Sequence, residues 1–308
     1  MMKTYVEKYE AAANLLPEYM RKEVVLSERL CMRAEEIRLR VGQKASVLLG
    51  EGELITGTRP VTSRDLECML EIATGASAYS VRECVKTGYI TAEGGYRIGL
   101  CGCAVVKNGE IEGFRELTSA AIRIPRDIYG VSYGIMREII EKGKVMSTLI
   151  ISPPGGGKTT LLRDIVKTIS DGNAELNLKG ARVALADERG EIACVHNGEP
   201  QRDVGVRTDV LSGCPKAQAV MMLLRSMNPQ TVALDEITAY EDIAAIQSCL
   251  NCGVNIIATA HAENMDDLYA RPLYKALLDS GVFKNAVFIS KSGSRRTYTV
   301  QKIGRLEL

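Results

Sequence analysis

The sequence predicts an α/β chain in two parts: a domain with a parallel-type sheet over residues 140–308, preceded by a smaller mixed α+β domain over 1–139. Short apolar runs recur through the second half at 148–151 (TLII), 183–186 (VALA), 232–234 (VAL), 254–258 (VNIIA) and 286–289 (AVFI). Segments of helical period separate them, the pattern of a parallel sheet covered on both faces. A glycine-rich loop joins the first run to a helix over 159–170, whose apolar stripe is Leu161, Leu162, Ile165, Val166 and Ile169.

The first half has shorter, alternating signals. Residues 36–41 (EIRLRV) alternate polar and apolar as a half-buried strand does, and 46–49 (SVLL) and 53–55 (ELI) read as a following pair. Thr62 or Ser63 can cap a helix running through Leu66, Met69, Leu70 and Ile72. A second helix is expected over 79–86. A strand-rich stretch follows over 89–124, with Asn108-Gly109 as a hairpin turn and with glycines at 94, 95, 99 and 102 expected to cut the sheet into short pieces. Pro125-Arg126-Asp127 and Gly130 mark a boundary, and beyond it a helix over about 133–141 leads into the second half.

Composition excludes several classes. Of the 308 residues 46% are apolar and 25% charged, as in a globular chain and unlike a disordered one. Lys and Arg number 39 against 38 Asp and Glu, so there is no global pull toward nucleic acid or anionic lipid. With three Phe and no Trp, an aromatic stacking platform for single strands is not expected. The first residues carry no apolar core of a signal peptide, and no run approaches the ~20 apolar residues that span a bilayer. Nine scattered cysteines fit a reducing compartment. Cys249-x-x-Cys252 and Cys101-x-Cys103 have no histidine or second matching pair to complete a zinc site.

The loop is Ser152-Pro153-Pro154-Gly155-Gly156-Gly157-Lys158-Thr159, with Thr160 following. Glycines let backbone N–H groups turn inward around an anion, and the helix N-terminus adds partial positive charge. In this context Lys158 reaches the β- and γ-phosphates of ATP and the Thr159 hydroxyl holds Mg²⁺. Ser152 stands where the usual pattern begins with glycine, and Pro153-Pro154 stiffens the same turn. A second strand end, 232–236 (VALDE), offers Asp235 for the Mg²⁺ shell and Glu236 to polarise an attacking water. Two more strand ends, 183–191 (VALADERGE) and 256–261 (IIATAH), bring Asp187, Glu188, Glu191 and His261 toward the same crevice, because ligands of open α/β sheets sit beyond the carboxyl ends of the strands.

Together 152–164 (SPPGGGKTTLLRD), 187–193 (DERGEIA), 207–216 (RTDVLSGCPK), 225–236 (RSMNPQTVALDE) and 259–261 (TAH) resemble the stage III sporulation protein AA family of endospore-forming bacteria, relatives of the type II and type IV secretion ATPases. Residues 36–42 (EIRLRVG) and 90–102 (ITAEGGYRIGLCG) extend the resemblance into the first half. The resemblance implies a P-loop, RecA/AAA+-like ATPase domain in which Asp187, Glu188 and Glu191 match the acidic box, Asp235-Glu236 the Mg²⁺ and base motif, and His261 the histidine box. It implies ATP hydrolysis with Mg²⁺ in the mother-cell cytoplasm and a homo-oligomeric ring, commonly a hexamer. Such a ring would dock on membrane-embedded proteins of a mother cell–forespore channel, which it powers or assembles. It also implies an arginine from another subunit or domain at each site, for which Arg115, Arg123, Arg126, Arg189, Arg202, Arg207 and Arg225 are open candidates. A nucleic-acid-stimulated motor and a nucleotide-gated scaffold with little turnover are the alternatives. The segment 197–215, with three glycines, two prolines and little periodicity, is expected to be a functional loop.

Overall fold

The structure, a computed structural model, describes residues 4–75, 88–126, 128–292 and 295–303. It divides into two compact units, Met1–Arg126 and Asp127–Leu308.

In the first unit, helix Tyr5–Ala13 begins at a capping box in which Thr4 and Glu7 exchange side-chain and backbone hydrogen bonds. Strands β1 (Ala34–Arg40), β2 (Lys44–Leu49), β3 (Gly52–Pro60), β4 (Tyr89–Ala92), β5 (Tyr96–Lys107) and β6 (Glu110–Arg123) form one antiparallel sheet in the order β3-β2-β1-β6-β5-β4. Alternate residues Ile37, Leu39, Val47, Ile98 and Ile122 are buried in one core with Tyr9, Ala12, Leu16, Leu66 and Met69. Helix Ser63–Ala73 starts at Thr62 as expected, with Thr62 and Asp65 forming the capping box. Asn108 (φ 54°) and Gly109 (φ 82°) close the β5–β6 hairpin, the left-handed pair that a two-residue turn requires.

Gly94 (φ 80°) and Gly95 (φ 74°) separate β4 from β5 as expected, but Gly99 and Gly102 do not cut the sheet. β5 runs unbroken through Gly99 and Gly102, and the register shifts at Cys101/Gly102. A Cβ at Gly102 would lie 2.1 Å from the Glu116 carbonyl oxygen, so this glycine permits close approach at a bulge instead of ending the strand. The helix expected over 79–86 lies outside the described residues.

The second unit contains β9 (Thr148–Ile151), β12 (Val183–Asp187), β15 (Thr208–Ser212), β16 (Thr231–Leu234), β17 (Asn255–Ala260), β18 (Asn285–Ser292) and β19 (Arg295–Lys302), in the order β15-β12-β16-β17-β9-β18-β19. Every pairing is parallel except β18 with β19. Two-residue hairpins complete the strands: β7 (Ile140–Glu141) with β8 (Lys144–Val145), β10 (Gly172–Asn173) with β11 (Leu178–Lys179), and β13 (Val195–His196) with β14 (Glu199–Pro200). Successive strand residues enter opposite cores. Leu149, Ile151, Val232, Leu234, Ile256 and Ala258 pack with helices Lys216–Ser226, Tyr240–Asn251 and Pro272–Asp279. Ile150, Leu185, Ala233 and Ile257 pack with helices Lys158–Asp171 and Tyr133–Ile139. Both faces are thus covered, which is why these strands read as continuous apolar runs.

Two expectations are corrected. The division falls at Arg126/Asp127, at the Pro125–Gly130 boundary signal, so helix Tyr133–Ile139 belongs to the second unit and not to a first domain ending at 139. The buried Asp164 carboxylate accepts the Gly130 and Ser132 N–H groups at 2.9 and 2.8 Å, and Ile135, Met136 and Ile139 enter the core beneath. The segment 197–215 is not wholly a loop, since its residues Thr208–Ser212 form the edge strand β15, half-buried along its whole length.

Candidate functional site

The glycine-rich loop follows β9 at the carboxyl end of the parallel strands, and helix Lys158–Asp171 begins directly after it. Gly155 (φ 72°) and Gly157 (φ 104°) take backbone conformations that side chains resist, and Gly157 caps the helix N-terminus. Gly156 has an ordinary φ but a crowded site: the Ser152 hydroxyl lies 2.2 Å from where its Cβ would be. Ser152 is buried and donates to the Pro153 carbonyl at 2.9 Å. The serine at the loop's first position therefore fills the space inside the turn, and the glycine opposite makes room for it.

Lys158 is only 6% exposed. Its Nζ donates to the Ser152 and Pro153 carbonyls at 3.0 and 3.3 Å and lies 2.7 Å from His261 Nδ1. Burial lowers the amine's pKa, with the charges of Asp235 and Glu236 opposing the shift. With Lys158 protonated, Nδ1 must accept, so the imidazole proton sits on Nε2 and faces Glu236 Oε1 at 3.2 Å. Lys158, His261 and Glu236 thus form one chain, extended by Arg189 Nη1 at 3.2 Å from Glu236 Oε2.

Asp235 and Glu236 follow β16. The Asp235 carboxylate accepts from Thr159 at 2.8 Å and from Thr259 at 2.5 Å. The Thr259 hydroxyl in turn accepts the Glu236 N–H at 2.8 Å. Glu236 is held at φ 47°, a left-handed conformation that a non-glycine residue adopts at a cost of about 1–3 kcal/mol.

Asp187, at the end of β12, turns inward. Its carboxylate accepts backbone N–H groups of Glu191, Ile192 and Ala193 at 2.9–3.2 Å. Burial raises its pKa, those N–H donors oppose the rise, and the Asp235 charge adds to it. Gly190 N–H closes the turn onto the Asp187 carbonyl at 3.1 Å. Glu188 and Arg189 are thereby presented at the tip of a pinned turn. Glu188 pairs with Lys216 at 2.6 Å, and Lys216 also lies 3.8 Å from Asp242.

These groups surround a cavity of about 330 Å³ lined by Gly155, Gly157, Lys158, Thr159 and Thr160 on the loop side and by Asp187, Glu188, Arg189, Glu191, Lys216, Asp235, Glu236 and His261 opposite. Ser152, Pro153, Pro154 and Gly156 shape the loop without joining that lining. Of the candidate arginines, only Arg189 lines the cavity. Arg123 pairs with Glu36 and Arg126 with Glu35, both in the first unit, and Arg207 donates to the Ser170 carbonyl. Sequence reading missed two residues. Lys216 is a cation in the first turn of a helix, where the dipole disfavours it, and that mismatch was the available signal. Arg296 donates to the Gly156 carbonyl at 2.9 Å, and sequence offered nothing to show it.

Residues Thr159 and Asp235 suit Mg²⁺: a hydroxyl and a carboxylate lie side by side, and a small hard cation of this kind takes its remaining ligands from phosphates and water. Among the described residues no cluster of three or more His, Cys, Asp or Glu side chains could hold a metal ion by itself.

A parallel sheet with a glycine loop, lysine and threonine at one strand end and an Asp-Glu pair at a neighbouring one defines the P-loop class of ATPase folds. The Legionella pneumophila ATPase DotB superposes with a TM-score of 0.57 at 16% identity, covering 97% of this chain and 81% of that one. The pilus retraction motor PilT, solved with bound ADP, gives 0.57 at 15% identity over 87% of this chain and 78% of that one. The family model for sporulation stage III, protein AA, matches residues 6–303, and the chain belongs to that family. Stage III sporulation protein AA of Bacillus subtilis (strain 168) is 35% identical over 281 residues, 91% of this chain and 90% of its own length. No helix among the described residues is long and apolar enough to cross a membrane.

Proposed function

We propose that this chain binds ATP with Mg²⁺ and hydrolyses it, and that it works as a homo-oligomeric ring, a hexamer by analogy with secretion ATPases. In this reading the ring lies on the cytoplasmic, mother-cell side of the membrane and powers or assembles the mother cell–forespore channel through that channel's membrane-embedded proteins. The observation that carries the reading is the meeting of Lys158, the Thr159–Asp235 pair and Glu236 around one cavity. Membership of the sporulation family and the fold shared with an ADP-binding motor support it.

The loop N–H groups and Lys158 hold the β- and γ-phosphates, and Thr159 and Asp235 hold the metal. When bound, Mg²⁺ would offset the charge that develops on the phosphate oxygens. Glu236 takes a proton from the water that attacks the γ-phosphorus, while the bond to the β-phosphate oxygen breaks and ADP leaves. Glu188 and Glu191 flank this site, and His261 couples Lys158 to Glu236. The first unit serves regulation, oligomerisation or docking.

One observation favours the scaffold alternative: Glu236 is paired with both Arg189 and His261, so its carboxylate is engaged. ATP turnover measured together with mass by light scattering, with and without DNA, decides between the readings. Mg²⁺-dependent turnover that rises as rings form is expected. A monomer with concentration-independent turnover contradicts the ring, binding without turnover leaves the scaffold, and turnover appearing only with DNA points to a nucleic-acid motor.

A further inference from the structure

We infer that Arg189 is a catalytic arginine supplied by the chain to its own site, contacting the γ-phosphate of bound ATP; this rests on the ATP-binding reading above. Three observations converge on it. First, Arg189 lines the same cavity as Lys158, Thr159 and Glu236. Second, its backbone is fixed. Asp187 clamps the turn by accepting the N–H groups that follow it, Gly190 (φ 62°) closes it, and the Ser212 hydroxyl and Gly213 N–H both donate to the Asp187 carbonyl. The Arg189 side chain at the tip is 64% exposed. Third, the guanidinium already sits 3.2 Å from Glu236 Oε2. A base that orients a water toward the γ-phosphorus stands about one water from that phosphate, so a cation touching the base is within reach of the γ-oxygens.

A γ-phosphate carries more charge than a single carboxylate and offers a planar guanidinium paired oxygens. On ATP binding Arg189 exchanges Glu236 for the γ-phosphate. That exchange stabilises the charge of the transferring phosphoryl group and frees Glu236 to accept the proton of the attacking water. The Glu236 ion pair, which by itself favours a silent scaffold, becomes the resting arrangement of a switch that γ-phosphate throws.

The test uses full-length protein with Arg189→Ala and Arg189→Lys. Affinities for Mg²⁺·ADP and for a β,γ-imido ATP analogue are measured beside kcat. Arg189→Ala is expected to leave ADP affinity within about 3-fold and to weaken the analogue about 10-fold or more, the scale of one charge-assisted hydrogen bond. kcat should fall on the order of 1,000-fold, with Arg189→Lys recovering only part of it. Equal effects on ADP and analogue, or no effect on either, would overturn the inference. So would a rise in kcat, which would make Arg189 only a brake on Glu236.

Mixing Arg189→Ala chains with Lys158→Ala chains checks that the arginine acts within its own chain. No recovery of turnover is expected, whereas recovery would place Arg189 in a neighbour's site and overturn the assignment. If wild type binds the analogue but shows no turnover, the hydrolysis reading fails, while the ADP-versus-analogue comparison still decides the arginine.

Discussion

Lys158 Nζ and His261 Nδ1 lie 2.7 Å apart, joining the start of the loop helix to the end of β17 inside the cavity. The lysine reaches this place at a cost, because burial lowers its affinity for the proton. Between that lowered value and the ordinary 10.5, the unfolded chain binds more protons than the folded one, so stability of the nucleotide-free protein should rise with pH across that interval. Lys158→Met should flatten the rise in a urea titration repeated from pH 8 to 10. A slope equal to wild type would show that other groups control it. The same lysine is expected to carry phosphate affinity, so Lys158→Ala should abolish ATP binding by calorimetry, and unchanged affinity in the folded variant would remove the site assignment.

Glu236 combines a left-handed backbone with an N–H bonded to Thr259. Gln has the same shape and keeps that backbone bond, yet it cannot take a proton from water. Glu236→Gln should therefore retain ATP while turnover drops by about 100-fold or more, the usual scale for losing a general base. Single-turnover kinetics separate the steps, and wild-type chemistry in this variant would strip Glu236 of the role.

In the first unit, Asp65 is buried and accepts from Arg59 at 3.0 and 3.1 Å, from Tyr19 at 2.8 Å and from the Thr62 N–H at 2.8 Å. Burial alone would raise its pKa, but the Arg59, Thr62 and Tyr19 hydrogen bonds outweigh it and bring the value down to about 2. The carboxylate thus contributes about 2 kcal/mol above its ordinary pKa of 3.8, a contribution lost as pH falls toward 2. Asp65→Asn should speed hydrogen exchange of the Ser63–Ala73 amides at pH 6, with the gap from wild type closing toward pH 2. A gap that persists in acid would assign the effect to cap geometry instead of charge.

The central strands were legible because burial on both faces leaves mostly apolar residues: β9, β12, β16 and β17 each announce themselves in four to six letters. β15 did not, because an edge strand can carry Thr208, Asp209 and Ser212 without burying them. The loop and the Asp235-Glu236 pair were legible from local spacing. The pairings that set the site's electrostatics, Arg189 with Glu236 and Lys216 with Glu188, join different strand ends, and nothing local encodes which partner each cation meets. Asp187 shows the reverse case, since an acid that looks like a ligand in sequence spends its oxygens on the turn that follows it.

Ser152 and Gly156 are the sharpest local test of the loop. The Ser152 Oγ and Cβ lie 2.2 and 2.8 Å from the place a Gly156 Cβ would take, with the Pro153 carbonyl at 3.1 Å. Gly156 needs no left-handed backbone, so its intolerance of a side chain arises from this crowding. Gly156→Ala should push the loop off its geometry and weaken ATP binding by about 10-fold or more, because an anion nest depends on the direction of each N–H. Ser152→Gly alone removes the hydroxyl and should change affinity by only about 3-fold, since glycine is the commoner residue at that position. The double variant Ser152→Gly, Gly156→Ala removes the two closest atoms and leaves the Pro153 carbonyl at 3.1 Å. It should bind ATP better than Gly156→Ala alone, a coupling that a double-mutant cycle on calorimetric affinities measures directly. Strict additivity would mean that the two residues do not share the space, and the account of Ser152 as the filler of this turn would fall with it.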